Sequence, residues 1–398
     1  MQAFLNTLAF AGGLALVIGT LLSAVRSTVL PRGAPSLISH LSNSGVRSAF
    51  RLWVGRSATY ERRDRVMAML GPVSLLALLA TWLVLIMTGY TLMYLAVTNR
   101  GFTRAVELSG SSVFTLGTTT ESRLGPLLLT YSEAGLGLLL VALLITFLPS
   151  IYGAFSRREN GVALLQVRAG SPPMAATMLI RYHRIEEAQY RLTELWRDWE
   201  AWFADIEETH STFPILAFFR SPHPERSWIT SAGALLDGAG FWAGAIEHPK
   251  DPDVQLCIRS GYLALRRISD MFNLDYDPDP PADGPISVSR EEWDDAMEEM
   301  AAAGVPVLSD RDQAWAAWRG WRVNYDAVLL NLARLVEAPP TPWVSDRSPV
   351  YVRTETPAWR LPLRSAQAAG WPTSEATGWT RWLRWTSWIR PASRKPPG

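Results

Sequence analysis

The residues best suited to holding a small ion lie in one short stretch, residues 112–121, SVFTLGTTTE. Thr115, Leu116, Gly117, Thr118 and Thr119 offer backbone carbonyls and threonine hydroxyls, the hard uncharged oxygens that can stand in for water around a cation. Two carboxylates flank them: Glu121 closes the run, and Glu133 opens the next apolar stretch. The gap that holds them is short and separates two long uncharged runs, the place a pore loop would occupy. Other chemistry is sparse. His40, His183, His210, His223 and His248 show no metal-ligand spacing, and His210, beside Glu207 and Glu208, reads as a helix end rather than a catalytic or metal site. Asp251, Asp253, Asp275, Asp277, Asp279 and Asp283 are interrupted by prolines and lack calcium-loop spacing. Neither a P-loop nor a glycine-rich dinucleotide loop is present. Neither an enzyme nor a cofactor is expected. Cys257 stands alone, which excludes an intramolecular disulfide and fits a small buried side chain.

The elements that must position the loop are set by charge and hydropathy. The chain has 398 residues, 48% hydrophobic and 19% charged, with a strong asymmetry along its length. Up to residue 159 there are 13 basic and six acidic residues; beyond it there are 25 and 31. No basic patch points to nucleic acid. A membrane-crossing helix needs about 20 apolar residues. Residues 1–25, 66–99 and 134–156 carry no charge, and Gly71-Pro72 places the second span nearer 73–95. The first run lacks the basic start and small-residue cleavage site of a signal peptide, so a retained anchor is expected. Residues 26–65 carry eight arginines against Glu61 and Asp64. Basic loops stay in the cytoplasm, which puts the N-terminus outside and brings the third span back inside at Arg157, Arg158 and Arg168. Leu37, Ile38, Leu41, Val46, Phe50, Leu52, Trp53 and Val54 lie among those arginines, as in an amphipathic helix at the membrane interface or one packed on the soluble domain. Only two of the 38 basic residues are lysine, read as the composition of a GC-rich bacterial genome and hence a bacterial inner membrane.

Residues 100–116, RGFTRAVELSGSSVFTL, fit a short helix breaking at Ser109-Gly110, followed by the threonine run, a Gly125-Pro126 turn and the third span. The order of outer helix, short helix, Thr-x-Gly loop and inner helix resembles the two-transmembrane, pore-loop potassium channel superfamily, with an extra N-terminal helix. The resemblance covers residues 70–158 and rests on this order, on SGSSVFTLGTTTES and on the inner helix SEAGLGLLLVALLITFLPSIYGAFSRRE. It implies a homotetramer passing monovalent cations. In the family, the filter Thr-Val-Gly-Tyr-Gly stacks rings of carbonyls around potassium. Thr115, Leu116 and Gly117 match its first three positions; Thr118 falls on the aromatic and Thr119 on the second glycine. A β-branched residue is strained where that glycine is left-handed, so a wider vestibule of threonine hydroxyls and one or two carbonyl rings is expected, with poor selectivity. The resemblance also makes Gly135 and Gly137 hinge candidates and Pro149 a bend near the inner end. Glu121 and Glu133 would form acidic rings at the outer mouth; for Glu133 a structural pairing with Arg123 or Arg104 stands open beside that role.

The fold class expected is therefore an all-α membrane protein: an N-terminal span (1–25), a basic interfacial segment (26–65), a pore-loop unit (66–158), a helical cytoplasmic domain (159–338) and a Pro/Trp-rich tail (339–398). The helical domain reads as one long helix from Ser171-Pro172-Pro173 to His210, then helices over 225–247, 253–274, 290–303 and 311–336, with Ser289 and Glu292 forming a capping box. The tail holds seven of the 18 tryptophans; Trp379, Trp382, Trp385 and Trp388 recur every three residues with arginines between them, suited to an anionic lipid surface or to packing on the protein. The function expected is a tetrameric channel gated through the helical domain, or else a non-conducting membrane-anchored sensor or interaction protein that keeps a pore-like fold.

Overall fold

Three helices are long and apolar enough to cross a membrane, and each grows from one of the uncharged runs. The structure, a computed structural model, describes residues 1–28, 36–54, 60–98, 100–119, 121–185 and 192–347. Helix α1 (Gln2–Thr28) is followed by α2 (Leu37–Val54) and the short α3 (Tyr60–Met67). The second span is α4 (Leu70–Thr98), then comes α5 (Phe102–Val113), and the third span is α6 (Leu124–Ala169). Helices α7 (Ala175–Arg184), α8 (Leu192–Thr212), α9 (Trp228–Ala245), α10 (Pro252–Met271), α11 (Arg290–Ala302), α12 (Arg311–Arg322) and α13 (Asp326–Val336) complete it. Among the described residues there is no strand, only an isolated bridge between Ile246 and Val307. The chain is an all-helical protein with three membrane-competent helices.

Small residues let the spans approach. A methyl group at Gly13 would overlap the carbonyl of Gly89, so α1 and α4 cross backbone to backbone; such close crossings let dispersion and short polar contacts hold helices where lipid offers no hydrophobic drive. Trp82, Ile86, Tyr90 and Tyr94 of α4 build the membrane core with Val17 of α1, Leu108 of α5 and Leu140 of α6. Helix α2 is amphipathic, with one face packed inside the protein and the other exposed. Phe50 and Val46 pack with Met67 and Leu70, whereas Leu37, Leu41, Leu52 and Trp53 stay exposed.

The basic segment is also fastened to the helical domain. Arg47 donates to the Leu335 carbonyl at 2.7 Å, and Arg220 bridges Asp64 at 2.6 Å and the Val336 carbonyl at 2.9 Å. These carbonyls end α13, where orphan acceptors and the helix dipole favour cations.

The domain's core is aromatic: Trp196, Phe203, Phe241, Trp293 and Trp318 are fully buried. The stretch expected as one helix over 171–210 is two, because Ile185 takes an extended backbone that ends α7. Each half has its own partner: Met178 of α7 meets Gly238 of α9, and Phe203 of α8 meets Gly261 of α10. The expected helix over 311–336 also divides, at residues 323–325, between α12 and α13. The capping box at Ser289 and Glu292 forms as expected. Asp251 and Asp310 cap α10 and α12, so two acidic residues serve helix termini. The compact unit extends to Asp346; residues 339–346 belong to the domain rather than to the tail, with the Trp343 ring tilted against Phe241 and edge-on to Trp318.

Inside this core Arg322 is completely buried, bonded to Asp237 at 2.7 Å and Asp326 at 2.7 Å, with the Tyr325 hydroxyl donating to Asp237 at 2.9 Å. Burial, then the neighbouring Asp237 charge, holds the Tyr325 hydroxyl well above its usual range, so it stays a donor. Removing one member leaves the others buried and uncompensated, at a cost of about 3–5 kcal/mol. Arg322→Met therefore lowers the thermal unfolding midpoint sharply, whereas Arg290→Ala, which breaks the ion pairs with Asp294 and Asp312 at the domain's surface, barely moves it.

Candidate functional site

The loop is organised by the helix before it. Helix α5 does not break at Ser109-Gly110 but runs to Val113, because its serines face inward and find partners. The Ser112 hydroxyl donates to the Leu108 carbonyl at 2.7 Å and lies 3.2 Å from the Tyr94 hydroxyl. Beyond Phe114 the chain folds back over Ser111: the Leu116 amide donates to the Ser111 carbonyl at 2.8 Å and the Thr119 amide to the Ser111 hydroxyl at 3.1 Å. Thr118 adds a hydroxyl bond to the same oxygen at 3.3 Å.

The backbone of this return is left-handed at Thr115 (φ 54) and at Gly117 (φ 65). Strain was expected at Thr119; it falls instead on Thr115, a β-branched residue for which this region costs about 1–3 kcal/mol. Thr115, Leu116, Gly117 and Thr118 are exposed; the Thr115 hydroxyl donates to the Phe114 carbonyl at 2.8 Å and the Thr118 hydroxyl to Ser111, but their four backbone carbonyls take no hydrogen bond among the described residues. Gly125-Pro126 forms the first turn of α6 rather than a separate turn, a position where proline's missing N–H costs nothing.

The flanking carboxylates are engaged within the chain. Glu121 is 7% exposed and pairs with Arg100 at 2.8 Å and Arg104 at 3.9 Å. Its charge is matched where an acidic ring was expected. Glu133 is fully buried behind α5 rather than at a mouth, and pairs with neither Arg123 nor Arg104. The Ser109 hydroxyl lies 2.5 Å from Glu133 Oε1 and 3.0 Å from the Met87 carbonyl. The Ser109 hydroxyl thus ties Glu133 of α6 to the backbone of α4. With Tyr90 bonded to Ser132 and Tyr94 to Thr130, these groups form a polar seam joining α4, α5 and α6.

The two hinge candidates separate. Gly137 lies against α5, where a methyl group would overlap the Val113 carbonyl, whereas nothing lies within 4 Å of a methyl group at Gly135. Helix continues through Pro149. From 141 to 150 no residue of α6 is buried. Trp379, Trp382, Trp385 and Trp388 lie outside the described residues.

At the other end α6 enters the helical domain through Arg158, which sequence reasoning took for an inside-boundary charge beside Arg157. Arg158 is 1% exposed and every guanidinium N–H has a partner: Glu159, the Leu216 carbonyl at 2.8 Å, the Phe219 carbonyl at 2.6 Å and His210 Nε2 at 3.3 Å. An arginine can only donate, so His210 accepts on Nε2 and donates from Nδ1 to the Ile206 carbonyl at 2.9 Å. Burial, then the Arg158 charge, depresses its pKa to about 3. Glu207 pairs with Arg267 and Glu208 accepts from Thr212, so neither gathers at His210. Cys257, its thiol pushed up by burial, lies buried in the core.

Sequence reasoning missed Ser111, Ser109, Tyr94 and Arg158. The serine-rich SGSS run inside an otherwise apolar helix face was the available signal for the first two. Compared with known proteins, the chain matches no family model, no curated protein and no solved structure.

Two outcomes follow from this geometry. Alanine favours a helix over glycine by about 1 kcal/mol, so Gly135→Ala holds or raises the thermal midpoint, while Gly137→Ala lowers it through the clash with Val113. The second concerns acid. Between about pH 6.5 and pH 3 the unfolded His210 binds a proton that the folded one refuses, so stability is lost as pH falls through that window. His210→Gln, which keeps an acceptor for Arg158 without titrating, should lose less of its thermal midpoint between pH 7 and pH 4.5 than the native protein, by an amount equivalent to roughly 2–3 kcal/mol.

Proposed function

We propose that the protein is a channel-like pore of a bacterial inner membrane, assembled as a homotetramer, which passes monovalent cations with little selectivity and is gated through its helical domain. The observation that carries this reading is the short α5 and its returned loop, set between two spans with the oxygens of Thr115–Thr118 uncovered. One such loop cannot enclose a pore; several copies around an axis can. The bare stretch of α6 at 141–150 is the surface a neighbouring copy would cover. Basic segments stay inside, which places the N-terminus outside and the helical domain in the cytoplasm. The loop lacks the aromatic and second glycine of a potassium filter, and Thr118 and Thr119 are tied to Ser111 instead. Ion preference then depends on hydroxyl and carbonyl oxygens rather than on carboxylate rings.

The pairing of Glu121 with Arg100 and Arg104 favours a second reading, a non-conducting membrane-anchored sensor or interaction protein that keeps a pore-like fold. Flux separates the two. Under the channel reading, proteoliposomes pass potassium and sodium at comparable rates, and Glu121→Gln changes their ratio little because that charge is already matched. In the same reading Ile145→Cys, placed on the bare stretch, cross-links copies in the membrane, while the native protein, whose sole cysteine is buried, does not. A folded protein without flux across a range of voltages and lipids, or a stable monomer, overturns the channel.

A further inference from the structure

Where the basic end of α1 meets α2, the membrane helices border a cavity of about 90 Å³ whose lining is part polar and part apolar. Arg26, Ser27, Ser39 and Asn43 come from α1 and α2; Leu78, Trp82, Leu144 and Phe147 come from α4 and α6. The turn Pro214–Phe218 of the helical domain contributes Pro214 and Ile215, so membrane helices and domain share one site. Many of the hydroxyls nearby are already used: Ser27 bonds Ser39 at 2.6 Å, Ser39 also bonds Ser36 at 2.9 Å, and Thr28 donates to the Ala24 carbonyl. Arg26 and Asn43 are not. Among the described residues neither side chain has a hydrogen-bond or ion-pair partner, and no acidic side chain lines the cavity.

We propose that this cavity binds an anionic phospholipid, its headgroup phosphate held by Arg26 and Asn43 and the start of one acyl chain laid along Leu78, Trp82 and Phe147. Basic pockets between spans on the positive side of a membrane protein suit anionic headgroups. A soluble anion would satisfy Arg26 but leave the apolar wall against water. A neutral or purely apolar occupant would fill the wall and leave both donors unpaired. A zwitterionic headgroup brings a second cation beside Arg26, with no carboxylate in the cavity to receive it. The acyl chain can reach the site along α6, where no residue from 141 to 150 is buried. Because Phe213–Ile215 also touch the site, an occupied cavity bears on the same turn that carries the Leu216 and Phe219 carbonyls of the Arg158 clamp. The inference needs only that the three spans lie in a bilayer, and it holds whether or not the protein conducts.

The test uses the full chain, delipidated in detergent and titrated with phosphatidylglycerol, phosphatidylcholine or glycerol 3-phosphate, with bound species counted by native mass spectrometry. Phosphatidylglycerol is expected to bind about fivefold more tightly than phosphatidylcholine, one arginine's share of such a preference, and glycerol 3-phosphate is expected not to bind. Arg26→Gln should abolish the preference. Asn43→Leu, which leaves the charge untouched, should weaken phosphatidylglycerol binding and serves if the arginine variant does not fold by gel filtration. Arg65→Gln, on the same basic segment but outside the cavity, should change nothing. Equal retention of the two lipids, binding of glycerol 3-phosphate alone, or a preference that survives in both cavity variants overturns the proposal.

Discussion

The structure depends on a buried cation. Arg158 leaves the membrane end of α6 and enters the helical domain with all its N–H groups satisfied, two of them by the carbonyls of Leu216 and Phe219. Its guanidinium also faces the rings of Phe155 and Trp228. A charge removed from water is tolerated only when every donor is met, and here the partners are the adjacent Glu159, His210 of α8 and the carbonyls of the turn after α8. Trp202 returns a bond to the Arg158 carbonyl at 3.2 Å. One side chain therefore fixes the direction in which a 46-residue helix, roughly 70 Å long, meets its domain.

The loop end of the same helix is held by other means. Where lipid surrounds the protein, apolar surface gives no net drive to bring helices together, and close backbone approach with short polar contacts takes over. Gly137 against Val113 supplies the approach; Ser109 with Glu133, and Tyr94 with Ser112 and Thr130, supply the contacts. The polar seam explains why α5 can stay as a short helix between two spans. Its inward serines use the outer and inner helices as partners, which leaves the backbone carbonyls of Thr115–Thr118 without a hydrogen bond among the described residues.

Much of this was legible in the residues. The uncharged runs gave the spans, because a stretch near 25 residues without charge has few other places to be. Ser289 with Glu292 marked the start of α11, since a capping box is satisfied locally and needs no tertiary information. Pairing across helices was not legible. Glu133 looked like a mouth carboxylate, yet its partner Ser109 is 24 residues away on α5, and only the packing of α5 on α6 unites them. Glu121 was read as free for the same reason, its partner Arg100 lying at the far end of the loop. Arg158 carried the same signal as Arg157, a charge just past an apolar run. Position on the helix separates them: Arg158 shares the face of Ile151, Ala154, Val162 and Leu165, which the domain buries, while Arg157 sits half exposed beside Asp205.

Helix α6 is thus gripped at two places with different chemistry and at most partly covered between them. Residues 126, 133, 137 and 140 pack toward the loop; residues 151, 154, 158, 162 and 165 pack into the domain. The intervening decade has no buried position, and it holds Pro149, whose missing N–H removes one rung of the hydrogen-bond ladder. Bending therefore costs least in this decade, where the packing at stake is confined to partly covered residues such as Phe147, whose ring meets Phe213, and where one rung is already absent.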